Sequence, residues 1–365
     1  MTIETLSDLL FHVRGISAGE TELLSTDGGG RGSHQSTADF VASVHALALA
    51  LEAEGVRLGD RVAILSEPRA EGHVVDFACH LLGAPVVPLG PDLDPERVAY
   101  GLRNSASGWV FYSDTAKRDL LLGLRGALTS MPRAIAMDGD AAMEGEPSLT
   151  RLLGHGTARR AEHPIERFRN RVKAADAASM LYSEGGRVDG LDHGGAVADI
   201  EALGANLEVR PGDLAMSLLP QGSKFQRTFD YLCFHRGASI RYAPSVADVP
   251  AALRRGKPTL LAASPPLFRE AYRWAWGAET GGPRKRVRWA VDVGERYAAS
   301  RREGIIGPVL AAQRRLAERM VYQRFRETLG GRLRLAVVGG GRLEGEAAAF
   351  FEAVGIPVFQ APDPD

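Results

Sequence analysis

Short apolar runs separated by helix-length amphipathic segments restrict this chain most. Arg61–Leu65 (R-V-A-I-L), Pro85–Leu89 (P-V-V-P-L) and Trp109–Ser113 read as strands. Val74–Leu82, closed by Gly83, and Pro95–Leu102 read as the helices between them. Before them, Phe40, Val44, Leu47 and Leu51 recur on one helical face, with Ser36 and Asp39 suited to the start of that helix and Gly55 to its stop. Strands that alternate with helices predict a mostly parallel sheet whose two faces are covered. The series resumes with strands at Ala178–Tyr182, Leu214–Leu219, Gly237–Ala243, Pro258–Ala263, Leu333–Val338 and Ile356–Gln360, and with a helix at Ala196–Asn206. The expected fold class is α/β, with two stacked subdomains, 1–176 and 177–365. The polar, arginine-rich stretch 139–176 reads as a linker with one short helix.

The chain has 365 residues, enough for one large or two ordinary α/β domains with a real core. Hydrophobic residues make up 45% and charged residues 24%, the balance of a globular protein, and the formal net charge is −1. Nothing global therefore points to nucleic acid. Cys79 and Cys233 lie far apart in apolar stretches and read as buried free thiols. No apolar run reaches the roughly 18 residues of a membrane span. The start M-T-I-E-T-L-S-D has neither a basic nor an apolar signal region, so a cytoplasmic location is expected. The arginines between Arg159 and Arg171 read either as a solvated face or as an anionic docking patch.

One stretch carries most of the functional information: 178–194, A-S-M-L-Y-S-E-G-G-R-V-D-G-L-D-H-G. A strand feeding a glycine-rich turn is a common phosphate cradle, because bare backbone N–H groups can converge on the oxygens. Ser183, Gly185, Gly186 and Gly190 would form such a cradle, yet the turn has no lysine and carries Glu184, Asp189 and Asp192. Two unit charges about 4 Å apart interact by roughly 4 kcal/mol at an effective dielectric near 20, so these acids oppose a triphosphate.

The stretch resembles the phosphate loop of the adenylate-forming (AMP-binding) enzymes, and within them the long-chain acyl-CoA synthetases, whose loop runs approximately L-Y-T-S-G-T-T-G-x-P-K-G-V-x-L-T-H. Leu181, Tyr182, Gly190 and His193 match in order, with Gly185 and Gly186 in glycine positions. Ser183 stands at the first hydroxyl position and Glu184 at the next; the threonine pair is missing, Asp189 stands where the lysine belongs, and the loop is shorter. V-R-L-G-D-R-V-A-I-L-S-E, G-A-P-V-V-P-L-G-P and V-A-Y-G-L-R-N-S resemble further blocks of the synthetase N-terminal domain. P-Q-G-S-K-F-Q-R-T-F-D-Y resembles L-P-L-A-H-V-F-E-R-T-V-D-Y, which implies that Ser223, Phe225 and Arg227 lie near an acyl group. Gly339, Gly340 and Gly341 resemble V-S-G-G-A-P-L, whose backbone borders adenine, so with the loop they imply a vestigial nucleotide site. The helical stretch 284–330 resembles an insert of the long-chain branch. Leu316, Met320, Val321 and Phe325 read as its apolar face, either against a core or, with the surrounding arginines, on an anionic membrane. The resemblance also implies a G-Y-G-L-T-E block, a ribose-binding aspartate and a C-terminal domain with a catalytic lysine, all expected to be absent.

Adenylation needs charge neutralisation around phosphorus by lysine, hydroxyls and metal. The expectation is therefore a catalytically degenerate acyl-CoA-synthetase-like protein without catalytic or metal-binding residues and without a cofactor. It would act as a binding or scaffold protein for a protein partner, for itself or for a fatty acyl or nucleotide ligand, with at most weak peripheral membrane contact. The alternative is an AMP-forming long-chain fatty-acid–CoA ligase, using ATP with magnesium and CoA, that a second chain completes. Zinc-type His/Cys spacing and paired carboxylates with a helical partner histidine are missing, so a different chemistry on the same scaffold has little support.

Overall fold

The computed structural model describes residues 2–16, 21–26, 33–142, 145–182, 187–243, 249–274 and 282–361. The first half contains α1 (Leu6–Ile16), β1 (Glu22–Thr26), β2 (Ser33–Ser36), α2 (Thr37–Ala53), β3 (Val62–Leu65), α3 (Ala70–Leu82), β4 (Val86–Leu89), α4 (Pro95–Ser105), β5 (Trp109–Tyr112), α5 (Thr115–Gly123), β6 (Arg133–Ala136) and α6 (Leu149–Arg159). The second half contains β7 (Ala177–Tyr182), β8 (Val188–Asp192), α7 (His193–Asn206), β9 (Leu214–Ser217), α8 (Lys224–Arg236), β10 (Ser239–Tyr242), α9 (Val249–Gly256), β11 (Leu260–Ala263), α10 (Pro265–Trp274), α11 (Gly282–Glu303), α12 (Pro308–Ala317), α13 (Gln323–Thr328), β12 (Leu335–Val338), α14 (Gly345–Val354) and β13 (Val358–Gln360).

The chain forms two compact α/β units, Met1–Pro211 with Pro220–Pro244, and Gly212–Leu219 with Ser245–Asp365. In the first unit one sheet has the order β6-β5-β3-β4-β7-β8. It is parallel except for β8, which runs antiparallel to β7. β1 pairs in parallel with β10 and antiparallel with β2. In the second unit β9, β11, β12 and β13 are all parallel. The four residues of β3 are all buried, as a central parallel strand covered on both faces requires. The mostly parallel α/β architecture is as the alternation predicts. The division is not: the contacts place 177–211 in the first unit, because β7 extends the sheet through β4.

The start of α2 follows its sequence signals. Ser36 Oγ accepts the Asp39 N–H and the Asp39 carboxylate accepts the Ser36 N–H, a reciprocal cap, and Gly55 beyond the helix has φ +103°. Phe40, Val44, Leu47 and Leu51 are buried, as are the free thiols of Cys79 and Cys233.

Two expectations need correction. The stretch 139–176 is not a linker: α6 lies across α2 so closely that a Cβ on Gly156 would fall 1.7 Å from the Ala46 carbonyl oxygen. Three of its arginines, Arg167, Arg169 and Arg171, are also occupied. Arg167 and Arg171 both pair with Glu52 of α2, Arg14 donates to Glu166, and Arg169 covers the Phe11 ring. The second correction concerns the apolar face expected in the helical insert: Val321 and Phe325 are buried, joined by Ala317 and Tyr322, while Leu316 and Met320 are exposed. A π turn at Glu318–Tyr322 separates α12 from α13. It closes i→i+5 hydrogen bonds, takes in an extra residue and rotates the face that follows, which a 3.6-residue period cannot anticipate.

Candidate functional site

The glycine-rich stretch folds as a hairpin. β7 and β8 pair with Met180 opposite Gly190, Leu181 opposite Asp189 and Tyr182 opposite Val188. Ser183, Glu184, Gly185 and Gly186 lie outside the described residues. Gly190 has open space where a Cβ would sit and no left-handed φ, so neither crowding nor backbone angle demands glycine there. Asp189 is half exposed, and the Arg187 guanidinium lies 3.9 Å from it. Asp192 has a structural role: it caps α7, its Oδ1 accepting the Gly195 N–H at 2.6 Å. That cap starts the helix at His193, three residues ahead of the expected Ala196.

His193 is fully buried, and its Nδ1 accepts the Leu6 N–H at 3.2 Å. Only a ring unprotonated at Nδ1 can accept that bond. Burial, then the neighbouring His80, pushes its pKa down to about 3. The histidine therefore anchors the first turn of α1 as a neutral acceptor.

In the second unit, Gly339 follows β12 and donates its N–H to the Ala263 carbonyl at 3.1 Å. Gly340 and Gly341 have φ +70° and +130°, conformations that L side chains rarely adopt, so this turn needs glycine at both places. Gln360 pins its far side, accepting the Leu343 N–H and donating to the Leu343 carbonyl. The result is a fixed, side-chain-free strip of backbone, the kind of surface against which a planar ring can pack.

Ser223 caps α8, its Oγ accepting the Gln226 N–H at 3.3 Å. Phe225 is buried and stacks on Phe229 with 6.3 Å between ring centroids. Arg227 sits at the centre of a buried polar cluster between α3 and α8. Its Nη2 donates to Asp76 Oδ1 at 2.7 Å and to Ser179 Oγ at 3.0 Å, while the Tyr231 hydroxyl donates to Asp76 Oδ2 at 2.6 Å. His73 Nε2 lies 3.1 Å from Asp230 Oδ2, and Gln226 Nε2 donates to Asp230 Oδ1 at 2.7 Å. Burial works against the Asp76 carboxylate, but Arg227 and then His80 outweigh it and hold its pKa well below the usual range. Burial likewise lowers the His73 pKa, but Asp230 and Asp76 outweigh it and raise it. Two carboxylates, one guanidinium and His73, whose charged form both carboxylates favour, thus share one buried cluster. Sequence reasoning singled out only Arg227 of this group. The available signal was polar side chains at helical spacing, His73, Asp76 and His80 against Gln226, Arg227, Asp230 and Tyr231.

Among the described residues no group of three or more His, Cys, Asp or Glu side chains could hold a metal ion, and no helix is long and apolar enough to cross a membrane.

The long-chain-fatty-acid–CoA ligase FadD15 of Mycobacterium bovis is 26% identical over 330 residues, which cover 88% of this chain and 54% of that protein. Human long-chain-fatty-acid–CoA ligase 1 is 22% identical over 306 residues, covering 80% of this chain and 43% of its own length. The chain thus spans about half the length of the curated relatives it matches. The crystal structure of the N-terminal domain of FACL13 from Mycobacterium tuberculosis superposes with a TM-score of 0.71 at 16% identity, covering 99% of this chain and 75% of that one. The anthranilate CoA ligase AuaEII, solved with anthranoyl-AMP, gives 0.70 at 19% identity, with 97% and 58% covered. The AMP-binding enzyme family matches residues 18–361, nearly the whole sequence, and the chain belongs to that family.

Proposed function

We propose that this chain is the α/β body of a fatty-acid–CoA ligase of the adenylate-forming type. ATP and CoA would be its co-substrates, with the remaining catalytic groups supplied by chain beyond these residues or by a second polypeptide. The observation that carries this reading is the 26% identity to a long-chain-fatty-acid–CoA ligase across 88% of the chain, on two α/β units of the family's type. The rigid glycine turn at 339–341 supports it as a surface for an adenine ring. The test is a fusion of residues 1–361 to the remaining part of the Mycobacterium bovis ligase, assayed with palmitate, Mg-ATP and hydroxylamine. Acyl hydroxamate is expected, and its absence from a folded fusion would remove the reading.

A second reading has one specific observation behind it. Asp189, at the position where the family's loop holds lysine, stands half exposed on β8 with Arg187 as its neighbouring cation. A carboxylate there opposes a triphosphate, which favours a catalytically degenerate protein that binds an acyl ligand or a partner. Calorimetric titration with Mg-ATP separates the two. Micromolar binding by the unaltered chain supports the ligase; binding seen only in Asp189→Lys supports the degenerate protein.

A further inference from the structure

The first unit contains a cavity of about 600 Å³ whose apolar wall is Ala38, Val41 and Ala42 from one face of α2 and Pro164 and Ile165 from the segment after α6. Its origin lies in the α2–α6 packing. The helices meet tightly where Gly156 crosses Ala46, and toward the start of α2 the small residues at 38 and 42 leave space that the chain at 160–166 does not fill.

The cavity's charges come from four residues, Arg14, Arg160, Glu166 and His45. Arg14 donates to Glu166 at 2.6 Å, so these two cancel at the rim. His45 Nε2 is occupied by the His163 carbonyl at 2.8 Å, and burial lowers the ring's pKa, against that carbonyl bond and with the Arg160 charge, so the ring is disfavoured as a cation. Arg160 remains. Among the described residues it has no ion-pair partner, and its Nε is shut off from solvent without an acceptor. A buried guanidinium N–H without an acceptor is costly, and a carboxylate can accept two parallel bonds from such a group. The volume falls within the range of small-molecule sites and is far larger than an inorganic anion needs.

We propose that this cavity binds a small monoanionic amphiphile, with its carboxylate on Arg160 and its apolar body against Val41, Ala42 and Ile165. The site is independent of the ligase reading, because none of its residues belongs to the hairpin or to the glycine turn.

The experiment is calorimetric titration of the full chain with octanoate, and in parallel with octan-1-ol and inorganic phosphate. Saturable octanoate binding is expected, at least tenfold tighter than either control. Arg160→Gln should weaken it at least tenfold, Arg160→Lys should retain most of it, and Ala42→Phe, which fills the cavity, should abolish it. Thermal melting by circular dichroism establishes that each variant is folded; should Ala42→Phe not fold, the Arg160 pair decides. Octanoate that binds Arg160→Gln as tightly as the unaltered chain sits elsewhere, and the proposal falls, as it does if octan-1-ol binds equally well or nothing saturates. Arg160→Gln should leave hydroxamate formation by the fusion unchanged, so the cavity and the ligase reading fail separately.

Discussion

Replacing Asp76 with alanine should be among the most damaging single changes in the first unit. The carboxylate is fully buried, accepts from the Arg227 guanidinium at 2.7 Å and from the Tyr231 hydroxyl at 2.6 Å, and lies 3.4 Å from His80 Nε2. Without it a guanidinium that is itself 1% exposed faces no partner charge on that side. Breaking a buried ion pair by removing one partner costs about 3–5 kcal/mol, and the tyrosine hydroxyl, which keeps His80 Nε2 at 3.1 Å, loses one bond worth about 1 kcal/mol. The two overlap, so about 4 kcal/mol is the working figure. Urea denaturation followed by circular dichroism measures it. The companion double variant, Asp76→Leu with Arg227→Met, removes both charges together and should recover most of the loss, since apolar replacement of a whole buried pair is often neutral. A loss below about 1 kcal/mol for Asp76→Ala, or a double variant as unstable as the single, would refute the reasoning, because the cluster would then not be held by charge balance.

Other perturbations test other parts of the structure. His193 has a folded pKa near 3 against 6.5 for the free ring, so its contribution is complete above pH 6.5 and lost as pH falls toward 3. The slope it contributes is about 1.4 kcal/mol per pH unit, and His193→Leu should flatten that part of the stability profile. An unchanged slope would mean that the ring does not stay neutral. His73 works the other way: its pKa is raised, so its contribution is full below 6.5 and fades as pH rises through the folded value. Gly156→Ala forces a methyl group into the Ala46 carbonyl and should cost about 3 kcal/mol, read as a lowered melting temperature; a neutral result would show that α6 can lift off α2. Asp213→Ala removes the acceptor of Thr259 Oγ1 and of Arg334 Nε in the second unit, and should cost about 2 kcal/mol. Hydrogen exchange should show the lost protection within 212–219 and 245–361, and loss confined to the first unit would contradict it.

The sequence made the fold class readable because the strand runs are short, β-branched or apolar, and separated by capped helices. The reciprocal cap at Ser36 and Asp39 came directly from residue types, as did the burial of both cysteines. The stretch 139–176 misled because a key packing residue is small: Gly156 carries no apolar signal, yet its missing Cβ lets α6 lie directly against the Ala46 backbone of α2. Its arginines look solvated in composition because Glu52, which pairs with two of them, lies more than a hundred residues away. The π turn at 318–322 hid the true face of the insert for a geometric reason, not a compositional one. At the candidate site, glycines and acids were visible, but their jobs were not. Asp192 turned out to be a cap and Arg227 the centre of a buried cluster, and both facts depend on partners that no local window contains.

The position of β8 has one more effect. It is the outermost strand of its sheet, with sequence V-D-G-L-D, and two carboxylates and a glycine along an outer strand discourage any further chain from aligning beside it. The same acids that count against triphosphate thus act as gatekeepers against strand addition. Exchanging Asp189 for lysine keeps that protection, since lysine guards an outer strand equally well, whereas an uncharged residue there would open the sheet to aggregation.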